Sequence, residues 1–272
     1  MEMSSLPLNR IYLKMDAKAR IVRSKPNALL MSAILMGAYL VLEMLIPGVL
    51  GLTNIPVDVP ETITSYDAYI AASEQATEQM IAFFENYHPS AIALVLAGAL
   101  YLMHEMLHVG YQIYALHIAR DQKAEIGNLL DGFSIFGRVI VLLVLQGVIV
   151  SLLTLLLIFP GVIMAYRYRQ AIYLLVEHPE YSPVRCLRES GRLMRGRKLE
   201  LFVLDLSFLG WILAQMFIPF FGTMIGIWVI PYTEISYANY YCILSGPLKT
   251  PDGKPYIEGS FTESSGEDRK DG

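Results

Sequence analysis

VIVLLVLQGVIVSLLTLLLIF, residues 139–159, contains no ionisable side chain, and its reading decides the fold. The hydrocarbon core of a bilayer is about 30 Å thick, and a helix of roughly 20 apolar residues crosses it. In lipid every backbone N–H and C=O must be satisfied within the segment, so such a run is a helix rather than a loop or an open strand edge. Two apolar blocks precede it. Ala28 to Leu50 reads ALLMSAILMGAYLVLEMLIPGVL and is expected to close at Pro47 and Gly48. A second, about Ala91 to Ile118, begins purely apolar and then turns polar at His104, Glu105, His108, Gln112 and His117.

The whole chain agrees with these blocks. Its 272 residues are 54% hydrophobic and 17% charged, where soluble domains run about 45–50% and about 25%. That composition excludes a disordered, fibrous or disulfide-stapled chain. It also excludes an ordinary soluble enzyme, because the excess apolar residues come in long blocks. The first block is too long for the apolar core of a cleaved signal peptide and lacks a small-residue exit.

Charge gives the orientation. Arg10, Lys14, Lys18, Arg20, Arg23 and Lys25 crowd the first 27 residues, and no Lys or Arg follows until Arg120. The stretch between the first two blocks is acidic, with Asp58, Glu61, Asp67, Glu74, Glu78 and Glu85. Basic residues stay on the cytoplasmic side during insertion, so the amino end is placed inside and the 51–90 loop outside. Within that loop, Thr64-x-x-Asp67 resembles a capping box. Tyr66, Ile70, Ser73, Thr77, Ile81, Phe84 and His88 then recur at helical spacing, which predicts an amphipathic helix.

Parity fixes the remainder. The 139–159 block starts inside at Arg138, and Arg185, Arg188, Arg192, Arg195, Arg197 and Lys198 also belong inside. An extra crossing must therefore return over about 161–176, turning at Pro160-Gly161; a shallow re-entrant helix is the competing geometry. Ser182-Pro183 starts a basic helix over 182–198. Further spans are expected at 199–218 and 223–244, and a polar tail at 245–272 is expected to be disordered. The sum is an all-α polytopic membrane bundle: a basic cytoplasmic segment 1–27, about six spans within 28–244, and both ends inside. Cys186 and Cys242 both fall on the reducing side, so no disulfide is expected.

The second half carries a longer string of motifs: FPGVIMAYRYRQAIYLLVEHPEYSP from Phe159, CLRESGRLMRGRKLELFVLDLSFLGW from Cys186, and GIWVIPYTEISYANYY from Gly226. LLDGFSIFGR, from Leu129, precedes them. Together they resemble domain-of-unknown-function family 975, bacterial integral membrane proteins. The resemblance implies a helical bundle in a bacterial cell (plasma) membrane. It transfers no catalytic residue and no substrate.

Two constellations carry possible chemistry. His104-Glu105-Met106-Leu107-His108 is an H-E-x-x-H, in which two imidazoles four apart on a helix could hold Zn²⁺ while Glu105 activates water. Leu130-Asp131-Gly132 follows, as in intramembrane zinc proteases, but Asp131 sits in a short connector and would have to fold back about 15 Å to reach His108. Mutual hydrogen bonding in the bundle interior is the default for these residues, and zinc hydrolysis is the alternative. The second constellation comes from depth along the spans. Arg169 and Asp205 share one depth, Arg167 and Glu234 another, and Glu43 and His104 a third. Three internal pairs are therefore expected, either as structural neutralisation or as a path for ions, protons or substrate.

Arg185, Arg188, Arg192, Arg195 and Lys198 are candidates for contact with anionic lipid headgroups. Short basic clusters flanking apolar spans do not make a nucleic-acid partner, since a binding face needs a continuous basic stripe. No phosphate loop, dinucleotide fingerprint or nucleophile elbow is present. Because polar residues are spread over several spans, the favoured reading is a non-enzymatic membrane component that is permease-like, handles lipid or peptide, or acts as an accessory subunit. A zinc-dependent intramembrane protease and a membrane-shaping or assembly scaffold are the alternatives.

Overall fold

A computed structural model describes residues 10–53, 65–217 and 222–246. The described residues form twelve helices. These are α1 (Arg10–Arg23), α2 (Ala28–Leu50), α3 (Tyr66–Glu85), α4 (Ala91–Ala119), α5 (Asn128–Ser134) and α6 (Phe136–Leu156). They continue as α7 (Ile158–Tyr168), α8 (Ala171–Glu177), α9 (Pro183–Leu193), α10 (Lys198–Leu206), α11 (Leu209–Phe217) and α12 (Gly222–Ser245). The expected tail lies almost wholly outside the described residues.

Three of these helices, α2, α4 and α6, are long and apolar enough to cross a membrane. α2 runs through Pro47 to Leu50 instead of closing at it. The other expected crossings are built differently. The 161–176 stretch is shared between α7 and α8, the 199–218 stretch between α10 and α11, and α12 is one continuous helix with Pro231 inside it.

The chain divides into two compact units, one of Met1–Met36 with Met106–Gly272 and one of Gly37–Glu105. In the larger unit the core is aromatic and partly polar. Tyr111 and Tyr114 of α4 are buried, as are Tyr173 of α8 and Tyr240, Tyr241 and Cys242 of α12. Ser190, Ser236 and Asn239 are buried with them. α1 closes this core with Leu13, Ala17 and Ile21, all inaccessible. Their four-residue spacing is an amphipathic signature hidden in what reads as a plain basic segment. α5 folds back onto α4 so closely that a Cβ at Gly110 would strike the Leu129 carbonyl, and one at Gly132 the Met106 carbonyl.

α6 and α7 form a helical hairpin. It turns at Leu157, which is extended, three residues before the expected Pro160-Gly161. Pro160 sits in the first turn of α7, where a missing N–H costs nothing because that donor has no intrahelical acceptor. Gly161 lets α7 approach Thr154 of α6, leaving no room for a Cβ. The hairpin tip is apolar and exposed: Leu155 is 87% and Phe159 83% accessible.

Two helix breaks lie in this unit, and neither is made by Pro or Gly. At the α7–α8 break, Ser190 of α9 donates its hydroxyl to the Arg167 carbonyl (2.7 Å) and accepts from the Gln170 N–H (3.2 Å). At the α10–α11 break, Lys14 of α1 donates to the Ser207 carbonyl (3.2 Å) and hydroxyl (3.1 Å). Its ammonium also lies 4.7 Å from the Phe208 ring centre. A cation at a helix C-terminus satisfies freed carbonyls and complements the helix dipole. Burial, and then the neighbouring charge of Lys18, lower the Lys14 pKa. Ser182 caps α9 as the sequence predicts, accepting from Arg185 N–H, with Pro183 at the first position. Cys186 and Cys242 are free and buried, and burial pushes the Cys186 thiol up.

The smaller unit holds α3 with the adjoining parts of α2 and α4. The N-cap of α3 is Ser65, accepting from Ala68 N–H, one residue after the expected Thr64, which lies outside the described residues. Tyr87 donates its hydroxyl to the Leu50 carbonyl (2.7 Å). Ile70, Ile81 and Phe84 of α3 remain exposed.

Candidate functional site

The larger unit gathers ionisable side chains from α4, α7–α8, α10 and α12. Arg169, at the α7–α8 break, sets its guanidinium 4.9 Å from the ring centre of Tyr237 on α12. Glu234 of α12 and Asp205 of α10 both lie within its electrostatic reach, as does the phenol of Tyr173. Asp205 Oδ2 accepts from the Tyr166 hydroxyl at 2.8 Å, and the Tyr237 phenol stands beside the same carboxylate, whose Oδ1 is buried with no hydrogen bond within 3.5 Å. Glu234 is buried, and its Oε2 is likewise without a partner. Its Oε1 lies 3.9 Å from His108 Nε2 on α4. The His108 ring nitrogen is itself 3.2 Å from Gln112 Nε2.

A buried acceptor without a donor is costly, by about 1–3 kcal/mol and more when charged. Two such oxygens beside one arginine mark a place where a proton or a cationic group would be taken up.

The depth pairings divide. Arg169 and Asp205 are near one another, although no ion pair within 4.0 Å joins them among the described residues. Among the described residues no ion pair within 4.0 Å joins Arg167 to Glu234, whose Oε1 lies near His108 instead. The Arg167 guanidinium lies across Gly191 of α9, where a Cβ would sit 2.5 Å from Arg167 Nε. Helical residues two apart point about 200° from each other. Arg167 and Arg169 therefore cannot serve the same side, and Glu234 falls to Arg169. In the smaller unit Glu43 is exposed. His104 stacks on Tyr39 with ring centres 3.9 Å apart and has its Nδ1 3.7 Å from Glu105. Among the described residues no ion pair within 4.0 Å joins Glu43 to His104. An exposed carboxylate gains little from a partner, and the imidazole has found an aromatic face.

The H-E-x-x-H does not assemble a metal centre among the described residues, where no group of three or more His, Cys, Asp or Glu could hold one ion. Glu105 Oε1 lies 3.7 Å from His104 Nδ1, and Gln112 Nε2 lies 3.2 Å from His108 Nε2. Asp131 does fold back toward α4, closer than the connector reading allowed, because Gly110 and Gly132 permit the approach. Its carboxylate nonetheless goes to Asn128, whose Nδ2 donates at 2.6 Å.

Two polar networks were not legible in the sequence. Arg120 makes a bidentate pair with Glu177 (2.7 and 3.1 Å), and Tyr241 donates to the same carboxylate (2.7 Å). Arg20 joins Asp16, Asp121 and the Ile118 carbonyl (2.5, 2.7 and 2.7 Å), and Asn239 donates to Asp16 at 2.9 Å. The first joins residues 57 and 64 positions apart and the second residues 101 and 223 apart, pairings no local pattern encodes. A cavity of about 710 Å³ opens beside the second network, near Ile11, Met15, Arg23 and Gln122. Its two carboxylates, Asp16 and Asp121, are both engaged by Arg20.

Residues 147–246 match a family described as Protein of unknown function (DUF975). This is the family that the motifs at 159–241 resemble. The match takes in both broken helices, the two side chains Ser190 and Ser207 at their breaks, and the Arg169, Asp205 and Glu234 cluster. The 129–138 connector and the helices before it lie outside it. No curated protein and no solved structure matches the chain.

Proposed function

We propose that the protein is a non-enzymatic, permease-like component of a bacterial cell membrane, and that Glu234 and Asp205 accept protons within it. The bearing observation is the pair of buried carboxylate oxygens left without donors, on two different helices, beside one arginine. A purely neutralising network would close both acids, as Arg120 closes Glu177. Here one oxygen of each stays open, and His108 stands 3.9 Å from the other oxygen of Glu234.

The reading takes the chain to cross six times with both ends inside, of which three crossings rest on α2, α4 and α6, helices long and apolar enough to span. The pairs α7–α8 and α10–α11 each run for roughly 20 residues, enough for one crossing, and α12 is the last. Interrupted helices around a polar site at membrane depth are a recurrent design of secondary transporters. The charge asymmetry of the termini and the acidic 51–90 loop sets the orientation.

The test is proton flux. Purified full-length protein in liposomes containing a pH dye is given an inside-negative potential. The reading expects faster acidification than in protein-free vesicles, and a loss of about tenfold or more for Glu234→Gln. Wild-type rates equal to those of empty vesicles would remove it.

A further inference from the structure

The face of α7 turned away from the acid cluster carries a different charge problem. Arg167, Arg195 and Lys198 converge on a cavity of about 170 Å³, closed by Ile163, Met164 and Gly191. Three cations from α7, the α9–α10 turn and α10 thus share one small space. Among the described residues no carboxylate is within ion-pair distance of any of them. The nearby acids are spent elsewhere, Glu189 on Arg192 (2.9 Å) and Glu200 on Arg197 (3.2 Å). Like charges gathered around one concavity raise a local positive potential that an anion relieves.

The rim names the anion's class. Ile163, which lines the cavity, is an exposed apolar side chain, as is Leu199, the residue after Lys198, so the ligand combines an anionic head with an apolar body. The volume falls below the roughly 300–1,000 Å³ of drug- or cofactor-sized sites and suits a single phosphate with its ester arms. We propose that this cavity binds the phosphodiester headgroup of an anionic phospholipid.

This narrows the basic region considerably. Of the five cations first considered for lipid contact, Arg185 lies over the Tyr181 ring (3.7 Å) and Arg192 is paired with Glu189. Arg188 is exposed outside the cavity. Arg195 and Lys198 remain, and Arg167 joins them from another helix. Gly191 is the positioning residue, since its missing side chain lets the Arg167 guanidinium lie against α9 and point into the cavity.

The experiment measures lipid retention by native mass spectrometry of the detergent-purified full chain, titrated with phosphatidylglycerol, phosphatidylcholine or inorganic phosphate. Phosphatidylglycerol is expected to bind in preference to phosphatidylcholine. Neutralising Arg167, Arg195 and Lys198 to Gln together should weaken it on the order of a hundredfold. A matched triple, Arg185→Gln with Arg188→Gln and Arg192→Gln, removes the same charge outside the cavity and should leave binding within about twofold. Two milder variants guard against misfolding: exposed Arg195→Gln alone, and Gly191→Ala, which displaces only a flexible guanidinium. Both should weaken phosphatidylglycerol binding. Equal losses from the two triples would mean diffuse attraction and overturn the site. Displacement of bound lipid by millimolar inorganic phosphate would overturn the lipid assignment. Because retention is read in detergent, the outcome does not depend on proton flux.

Discussion

α6 and α12 are nearly equal in length, 21 and 24 residues, and bury opposite kinds of side chain. α6 is almost pure Val, Leu and Ile, yet only Val139 and Leu142 are buried. α12 carries Glu234, Ser236, Asn239 and three tyrosines in its second half, and that half is packed inside. In water this arrangement would be inside out. It is stable where the surroundings of α6 are as apolar as its side chains, so that packing and polar contacts, rather than burial of hydrocarbon, hold the helices together. The comparison teaches that the apolar helices meet the lipid while the polar aromatic helix specifies the bundle.

The comparison can be broken by truncation on the packed side. Ile235 is fully inaccessible, and Ile235→Ala should cost about 2–5 kcal/mol, read from denaturant unfolding in detergent. A smaller, distinct effect is expected on the lipid side from charge. Val148, 52% exposed near the middle of α6, when changed to Arg should raise the cost of insertion by about 2.5–3.5 kcal/mol, read as the inserted fraction in a translocation assay. The smallest effect sharpens the contrast. Leu152→Ala removes as much hydrocarbon as the core truncation, yet should shift stability by no more than about 0.5 kcal/mol, because lipid tails refill the space.

Legibility in the sequence followed the range of the physics involved. The unbroken run at 139–159 announced α6, because a bilayer imposes a length and a composition on consecutive residues. Ser182-Pro183 announced α9, because capping is local. The breaks at Arg169–Gln170 and Ser207–Phe208 gave no such sign. They are held by Ser190 and Lys14, which lie 23 and 193 residues from the carbonyls they bind. Depth counting carries no azimuth, so it could not foresee that the Arg167 guanidinium lies across Gly191 of α9. The return of α5 onto α4 was hidden for a related reason: Gly110 and Gly132 matter through the close approach they allow, and a lone glycine in a sequence does not name its neighbour.

The most direct measurement is carbene footprinting of the wild-type protein in its native membrane with a lipid-soluble diazirine, read residue by residue by mass spectrometry. The account predicts heavy labelling on Val148, Leu152 and Leu155 through Phe159, and almost none on Ile235, Ala238, Tyr240 or Cys242. Labelling of α12 as strong as that of α6, or an unlabelled α6–α7 tip, would contradict it.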